Sequence, residues 1–319
     1  MVAVDLGGTE IKAAVVAPDG RVLHRVRRPT GRERGGAAVV DTVVETAAAL
    51  VARCPEVAGA AAVAVGVVVP GMVDEAAGRA VWSANLGWRD LPLRDLLTER
   101  LGLPVAFGHD VRAGGLAEGV LGAARGRGDF LFVALGTGVA AAYVVDGRAV
   151  RGAHGGAGEL GHLVVRRRGP RCGCGNRGCL ETLASASALA RRYTSASAAT
   201  GEPRTPVTAE RVCRLAQDGD PVAVRVWNDA VTALADGLAV CATLYDTSLV
   251  VIGGGLSRAG AALFDPLRSA LAARLTFQPT PTLLPATLGP TAGTLGAALL
   301  ALNLKPTPPG NSPPSPPGV

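Results

Sequence analysis

The sequence predicts an α/β protein built from two similar lobes that face one cleft. Three observations carry this. Short apolar strands alternate with helical patterns along the chain. A strand, glycine–threonine turn, strand, Asp-Gly turn unit occurs twice. Glycine clusters follow directly after apolar strands.

Strands are expected at Met1–Leu6, Ala13–Val16, Val63–Val69, Phe130–Leu135, Ala141–Val145 and Leu249–Ile252. Each is a short run rich in Val, Ile, Leu and Ala bounded by Gly, Pro or Asp. Helical patterns run through Asp41–Arg53, Arg112–Gly119, Val222–Leu244 and Thr291–Leu302. Asp220 and Pro221 form a cap and first-turn pair before the third of these. The segment after Leu304 is rich in Pro, Gly and Ser and is expected to be disordered.

The repeat is read from two segments. Leu6-Gly7-Gly8-Thr9 precedes an apolar run and Asp19-Gly20; Leu135-Gly136-Thr137-Gly138 precedes an apolar run and Asp146-Gly147. Asp-Gly between apolar strands is a hairpin signal, because both central residues of a type I′ turn take positive φ. Duplicated units about 130 residues apart would set two Gly-Thr turns across one cleft.

Composition limits the function. The chain has 319 residues, enough for two domains sharing a cleft, and 48% of them are hydrophobic. Aromatics are only 3%, so the core must be built from Ala, Val and Leu. No apolar stretch reaches membrane-spanning length and no signal region opens the chain, so a soluble cytoplasmic protein is expected. The net charge of +6 is carried almost wholly by arginine, with Lys12 and Lys305 the only lysines. The arginines are scattered without aromatic interleaving, which argues against a nucleic-acid partner and for a solvated basic surface.

Asp5-Leu6-Gly7-Gly8-Thr9 closes the first strand, with Lys12 three residues on. Glycine lets backbone N–H groups approach phosphate oxygens with no Cβ in the way. Thr9 adds a hydroxyl donor, and Asp5 is placed to hold Mg²⁺ through water. Gly136-Thr137-Gly138 could hold the other side of a phosphate chain. Gly253-Gly254-Gly255 could let a flat adenine ring lie on backbone. One such turn would be ordinary; three after apolar strands point to a nucleotide. A GxxxxGK[ST] run and a GxGxxG run are both lacking, which disfavours a P-loop and a dinucleotide fold.

His162, Cys172, Cys174 and Cys179 lie within eighteen residues and make a complete tetrahedral Zn²⁺ set. No coordination position is left open, so the zinc is expected to be structural. Glu159 and Glu181 flank this knot and suit vicinal hydroxyls as hydrogen-bond partners; they could also only offset the arginines at 166, 167, 168, 171 and 177. Cys54, Cys213 and Cys241 stand alone in apolar segments and read as buried thiols.

Together these residues resemble the ROK family, named for repressors, open reading frames and kinases. The resemblance spans nearly the whole chain up to the Pro-rich tail. It is most specific in Glu159-Leu160-Gly161-His162 and in Cys172 through Glu181, and extends to Asp5–Thr9, Pro70-Gly71 and Asn85-Leu86-Gly87-Trp88. It implies the actin-like ATPase (ribonuclease H-like) fold, with a first lobe over 1–110 joined by the C-terminal helix 291–303, and a second over 111–290. It implies Asp110 as catalytic base for a sugar hydroxyl, needing no unusual pKa because it must be ionised at neutral pH. Glu159, His162 and Glu181 match sugar-hydroxyl contacts, with His162 serving zinc through one nitrogen and sugar through the other. Gly71 and Asn85 match further sugar contacts. Gly7, Gly8, Gly136, Gly138, Gly254 and Gly255 fall to ATP.

Two departures stand out. His109 replaces the family's usual Asn, and Val139-Ala140-Ala141-Ala142 replaces its usual glycine run. The resemblance implies an ATP:glucose 6-phosphotransferase, often a dimer or tetramer. Alternatives are a kinase for N-acylmannosamine, N-acetylglucosamine, fructose or a cyclitol; polyphosphate as donor; or a sugar-binding protein without turnover. A sugar-sensing repressor is disfavoured, since the phosphate motif begins at Asp5 and no helix-turn-helix domain precedes it.

Overall fold

A computed structural model describes residues 1–83, 85–199 and 207–304. The Pro-rich tail expected to be disordered lies outside the described residues.

The first half contains β1 (Val2–Leu6), β2 (Glu10–Val16), β3 (Val22–Pro29), α1 (Gly36–Ala58), β4 (Val65–Val69), β5 (Met72–Asp74), β6 (Arg79–Ser83), β7 (Trp88–Leu91), α2 (Leu93–Leu101), β8 (Val105–His109) and α3 (Asp110–Leu121). The second contains β9 (Phe130–Leu135), β10 (Val139–Val145), β11 (Arg148–Ala149), α4 (Glu181–Ala184), α5 (Ala186–Ala199), α6 (Ala209–Gln217), α7 (Pro221–Tyr245), β12 (Leu249–Gly253), α8 (Ala261–Ala272), β13 (Thr282–Pro285) and α9 (Ala292–Leu302).

Two five-stranded sheets result, β3-β2-β1-β4-β8 and β11-β10-β9-β12-β13. In each, the two hairpin-linked pairs are antiparallel and the remaining two are parallel. The duplication read from the two Gly-Thr units is thus a duplication of topology. A third small sheet, β5-β6-β7, is inserted in the first half only.

Strands β1, β4, β12 and the edge strand β8, which α9 covers, are buried along their whole length. That is why they read as continuous apolar runs without alternation. The hairpins differ. Asp146 and Gly147 both take positive φ, 48° and 71°, as the Asp-Gly signal requires. At the first hairpin only Gly20 does so, at 86°. There Pro18 stands two residues before Gly20, the Ala17 N–H donates to Arg21 O, and the register slips between Val15 and Val16. Proline's fixed φ suits an ordinary turn, and the slip absorbs the extra residue.

Helix α7 shows its packing logic. Asp220 caps it, the side chain accepting from the Ala223 N–H at 2.7 Å, and Pro221 opens the first turn. Val226, Ala230, Ala233 and Leu234, then Leu238 and Cys241, form its buried stripe. Helix α9 returns to the first sheet and packs on α3, β1, β4 and β8. A Cβ at Gly296 would lie 2.1 Å from the Ala113 carbonyl, so glycine is what lets α9 touch α3. Cys54, Cys213 and Cys241 are buried thiols, as their apolar surroundings suggested.

Candidate active site

The C-terminal ends of β1 and β8 bring two acids together. Asp5, on β1, is buried. Asp110 follows β8 and opens α3, its Oδ1 accepting from the Val111 N–H at 2.7 Å. Burial pushes Asp5 up to about 7, with the Asp110 charge adding to this and Lys12 opposing it. Lys12 Nζ lies 3.9 Å from Asp5 Oδ2. Burial likewise pushes Asp110 up to about 7 against the Val111 N–H, and Glu159 raises it further. The ordinary carboxylate pKa expected for Asp110 is therefore corrected: the desolvation of a carboxylate beside other carboxylates favours its protonated form.

His109 ends β8 beside Asp110, its Nδ1 3.5 Å from Asp110 Oδ1. It is buried, and its Nδ1 accepts from the Arg112 N–H at 3.4 Å, capping α3. Burial and the Arg112 charge push it down to about 4, so the ring is neutral at physiological pH with its proton on Nε2. The charges of Glu159 and Glu75 oppose this shift.

Residues not singled out from sequence hold this corner. Glu75 Oε1 accepts from the His109 N–H at 3.3 Å and from Arg112 Nε at 2.9 Å. Its Oε2 pairs with Arg151 Nε at 2.6 Å. Arg112 Nη1 donates to the Gly155 carbonyl at 3.0 Å, while its buried Nη2 has no partner among the described residues. One carboxylate from the small sheet therefore ties the start of α3 to the loop that leads to Glu159. Further back, the fully buried Glu118 of α3 accepts from the backbone N–H groups of Ala123, Thr287 and Leu288, joining α3 to the end of β13. No local pattern marks these residues; their partners are far away in sequence.

The second Gly-Thr turn carries Glu181. Its Oε2 accepts from the Val139 N–H at 3.1 Å. A Cβ on Gly138 would come within 2.4 Å of that same oxygen, so a side chain there would displace the carboxylate from the Val139 N–H. Gly254, with φ 85°, lies against the Leu135 carbonyl at the end of β9. Gly255 opens the short 3₁₀ turn that follows. Thr9 and Thr137 are exposed at their turn tips. Gly8 faces Asn85, whose loop the structure brings to the first turn, and Gly71 sits at φ 102° between β4 and β5.

His162, Cys172, Cys174 and Cys179 converge, their ligand atoms all within 4.8 Å of one another. Cys172 Sγ is 3.6 Å from His162 Nδ1, and Cys174 Sγ is 3.7 Å from Cys179 Sγ. Tetrahedral zinc with bonds of about 2.0–2.3 Å sets its ligand atoms about 3.5–3.8 Å apart, so the donor set fits that ion. Burial and the neighbouring thiols push Cys179 up to about 12; the Asn176 N–H draws Cys174 down to about 7. With Nδ1 towards the thiols, His162 turns Nε2 towards Glu159, 3.8 Å from its Oε2.

Asp5, Lys12, His109, Asp110, Glu159 and His162 thus form one linked group, while Glu181, Gly138 and Gly254 gather at the second turn. Two α/β halves of one topology, with paired acids beside a glycine turn, fit a phosphotransferase of the actin-like ATPase class. The ROK family model matches residues 1–304, and the chain belongs to that family. It is 36% identical to the glucokinase of Thermotoga maritima, covering 93% of this chain and 96% of that one. Its fold is similar to the ROK hexokinase of Thermus thermophilus, with TM-score 0.80, 39% identity and coverage of 94% and 97%. It is also similar to a ROK family glucokinase of Streptomyces griseus solved with glucose and AMPPNP, with TM-score 0.82, 34% identity and coverage of 94% and 98%. Among the described residues no helix is long and apolar enough to cross a membrane.

Proposed function

We propose that this sugar kinase transfers the terminal phosphoryl group of ATP to the 6-hydroxyl of glucose, with Asp110 as the base. The observation that carries the reading is the position of Asp110. Its charge acts on Asp5, and the charges of Lys12 and Glu159 act on it, so it lies within reach of both the group suited to phosphate and the group suited to hydroxyls. The ionised Asp110 accepts the proton of the attacking hydroxyl as its oxygen meets phosphorus in line. Glu159, His162 Nε2, Glu181, His109, Asn85 and Gly71 orient the ring by hydrogen bonds. Asp5, Lys12, Thr9 and the glycines of the Gly7-Gly8, Gly136–Gly138 and Gly254-Gly255 turns hold the phosphates and base. The remaining catalysis is positioning and charge neutralisation.

Asp5 fits a divalent cation. It is a buried acid beside a second acid, with Lys12 its only cationic partner within 4 Å among the described residues. Mg²⁺ held there would offset phosphate charge. Zinc at His162, Cys172, Cys174 and Cys179 would fix the knot from which Glu159 and Glu181 project. We assign the lobes as 1–110 with 291–303, and 111–290, in a cytoplasmic homo-oligomer.

A coupled ADP-release assay with ATP and Mg²⁺ across glucose, mannose, fructose, N-acetylglucosamine, N-acetylmannosamine and myo-inositol tests the reading. Glucose should give the highest kcat/KM. Turnover of another sugar at tenfold higher efficiency would reassign the substrate, and no turnover of any would remove the kinase. Replacing ATP by polyphosphate in the same assay tests the donor.

A further inference from the structure

A second charged concavity lies apart from the acids. It has a volume of about 350 Å³ and is walled by Arg166, Arg167, Arg168, Arg192, Leu183 and Asp229, with none of the cleft residues described above. Four arginines line it against one carboxylate. We propose that this pocket is a second ligand site, which binds a phosphate-bearing anion.

The pocket is built rather than incidental. Arg192 is held at the back by the Leu183 carbonyl, 3.0 Å from Nη1, and by Asp229. Arg166 is held by Asp236, 2.5 Å from Nη1. Asp236 is itself shared with Arg274 at 2.5 Å, so its single charge is divided between two cations. These partners fix where two guanidiniums stand before any ligand arrives. Arg167 and Arg168 are exposed, and among the described residues neither has a carboxylate within 4 Å. The backbone beneath them is rigid. The Arg166 N–H donates to Gly178 O at 3.1 Å, the Gly169 N–H to Arg166 O at 2.9 Å, and the Gly178 N–H to Pro170 O at 2.8 Å. These bonds lash the segment to the stretch that carries Cys179.

Converging guanidiniums on a rigid frame suit an oxyanion with several acceptor oxygens. Arginine forks pair with phosphate in two parallel hydrogen bonds, and an ion already oriented loses less freedom on binding. The unpaired charges of Arg167 and Arg168 also repel in the absence of an anion, which adds to the gain when one enters. A carboxylate ligand would use fewer of the donors. The chemistry points to phosphate, carried either by a sugar phosphate ester or by a condensed inorganic phosphate chain.

The pocket also has a route to the cleft. The short helix α4 begins at Glu181, which holds the Val139 N–H of the second turn, and Leu183 on the same helix accepts from Arg192. An anion that pulls on Arg192 therefore acts on the helix that places Glu181. The inference of a phosphate site does not depend on which sugar the cleft takes.

The test uses the full chain and the variant Arg167→Gln/Arg168→Gln, whose side chains are exposed and outside the cleft. Calorimetric titrations with orthophosphate, glucose 6-phosphate and tripolyphosphate are run with glucose and AMPPNP saturating the cleft. At least one probe should bind the parent chain, and the variant should bind it at least tenfold more weakly, with its own kcat/KM for ATP and glucose within twofold of the parent. Preference for glucose 6-phosphate identifies the ester; preference for tripolyphosphate identifies the condensed chain. Equal affinities in parent and variant, or no heat from any probe at millimolar concentration, would overturn the site.

Discussion

In the first sheet the innermost strand ends on Asp5-Leu6; in the second, the strand paired in the same way ends on Ala134-Leu135. Continuing the register outwards, His109 at the end of β8 and Asp110 just after it correspond to Thr287 and Leu288 after β13. Two halves with one topology thus carry acids at two positions in the first and none at the same positions in the second. The second half contributes turn backbone, and its charged groups come from the insertion between β11 and α4. Asp5 and Asp110 are both pushed up to about 7 by burial in a place where the duplicate strand ends stay apolar. Duplication supplied the frame, and the chemistry depends on where the copies differ.

Making the first half like the second at its decisive position should have the largest effect. Asp110→Asn keeps size and removes the base. The loss in kcat should be about 10³-fold, within the range for general-base catalysis, while calorimetric glucose binding changes by less than threefold. Unchanged turnover would end the assignment of Asp110. The same substitution should stabilise the fold. A carboxyl whose folded pKa lies above its unfolded value of 3.8 is most favourable to stability at low pH, and that contribution is lost as pH rises from about 4 through about 7. At pH 8 the Asn variant should therefore melt a few degrees higher than the parent, and at pH 4 the difference should vanish. The parent's kcat/KM should rise with pH to a plateau above about 7, a limb that belongs to the Asp5–Asp110 pair rather than to either alone.

The insertion of the second half comes next. Zinc analysis of the purified protein should find about one ion per chain. Cys179→Ser should lower zinc content below half and reduce kcat/KM for glucose by about 10–100-fold, since Glu159 and Glu181 are both placed by the knot. Full activity in a zinc-free variant would separate the knot from the sugar site.

The corner that joins the halves gives a third contrast. Glu75→Gln leaves Arg112 and Arg151 facing an uncharged amide. Loss of one member of a buried ion pair costs about 3–5 kcal/mol, most of it the uncompensated charge. Arg151 is largely exposed and limits that cost. Urea unfolding should show a loss towards the lower end. The double variant Glu75→Gln/Arg112→Met should recover part of it, as removal of both charges leaves none uncompensated. No recovery would mean that the two residues act separately.

Much of this frame was legible before any coordinates. Phe130–Leu135 is a strand with the bounds its apolar run suggested, and the Asp220-Pro221 start of α7 holds. Those signals are local: a run of one polarity, a cap, a fixed φ. The missed elements have none. Strand β3 alternates arginines with half-buried residues, because it is the sheet edge and one of its faces meets water. β8 gives no such signal although fully buried, because it is short and set between Pro104 and the charged start of α3. The convergence of His162 with the three cysteines was readable from spacing, and the place of Asp110 near Asp5 from resemblance. Glu75, Arg112 and Glu118 were not, because a buried ion's identity as a partner rests on residues 37 to 170 positions away.

The smallest contrast tests the repeat itself. The two Asp-Gly dipeptides look alike in sequence, yet Asp146 takes φ 48° and Asp19 does not take positive φ. An alanine in the left-handed region costs roughly 1–2 kcal/mol, whereas in an ordinary turn it costs only the side chain's own bonds. Asp19 Oδ1 accepts one exposed bond from the Arg21 N–H at 3.0 Å, worth a few tenths of a kcal/mol to about 1. Asp146→Ala should therefore destabilise more than Asp19→Ala, by about 1 kcal/mol in urea unfolding, and Asp146→Gly should be close to neutral because glycine reaches the left-handed region freely. Equal losses at both hairpins would show that the second turn gains nothing from its backbone geometry, and that the duplicated halves are alike even where their turns differ.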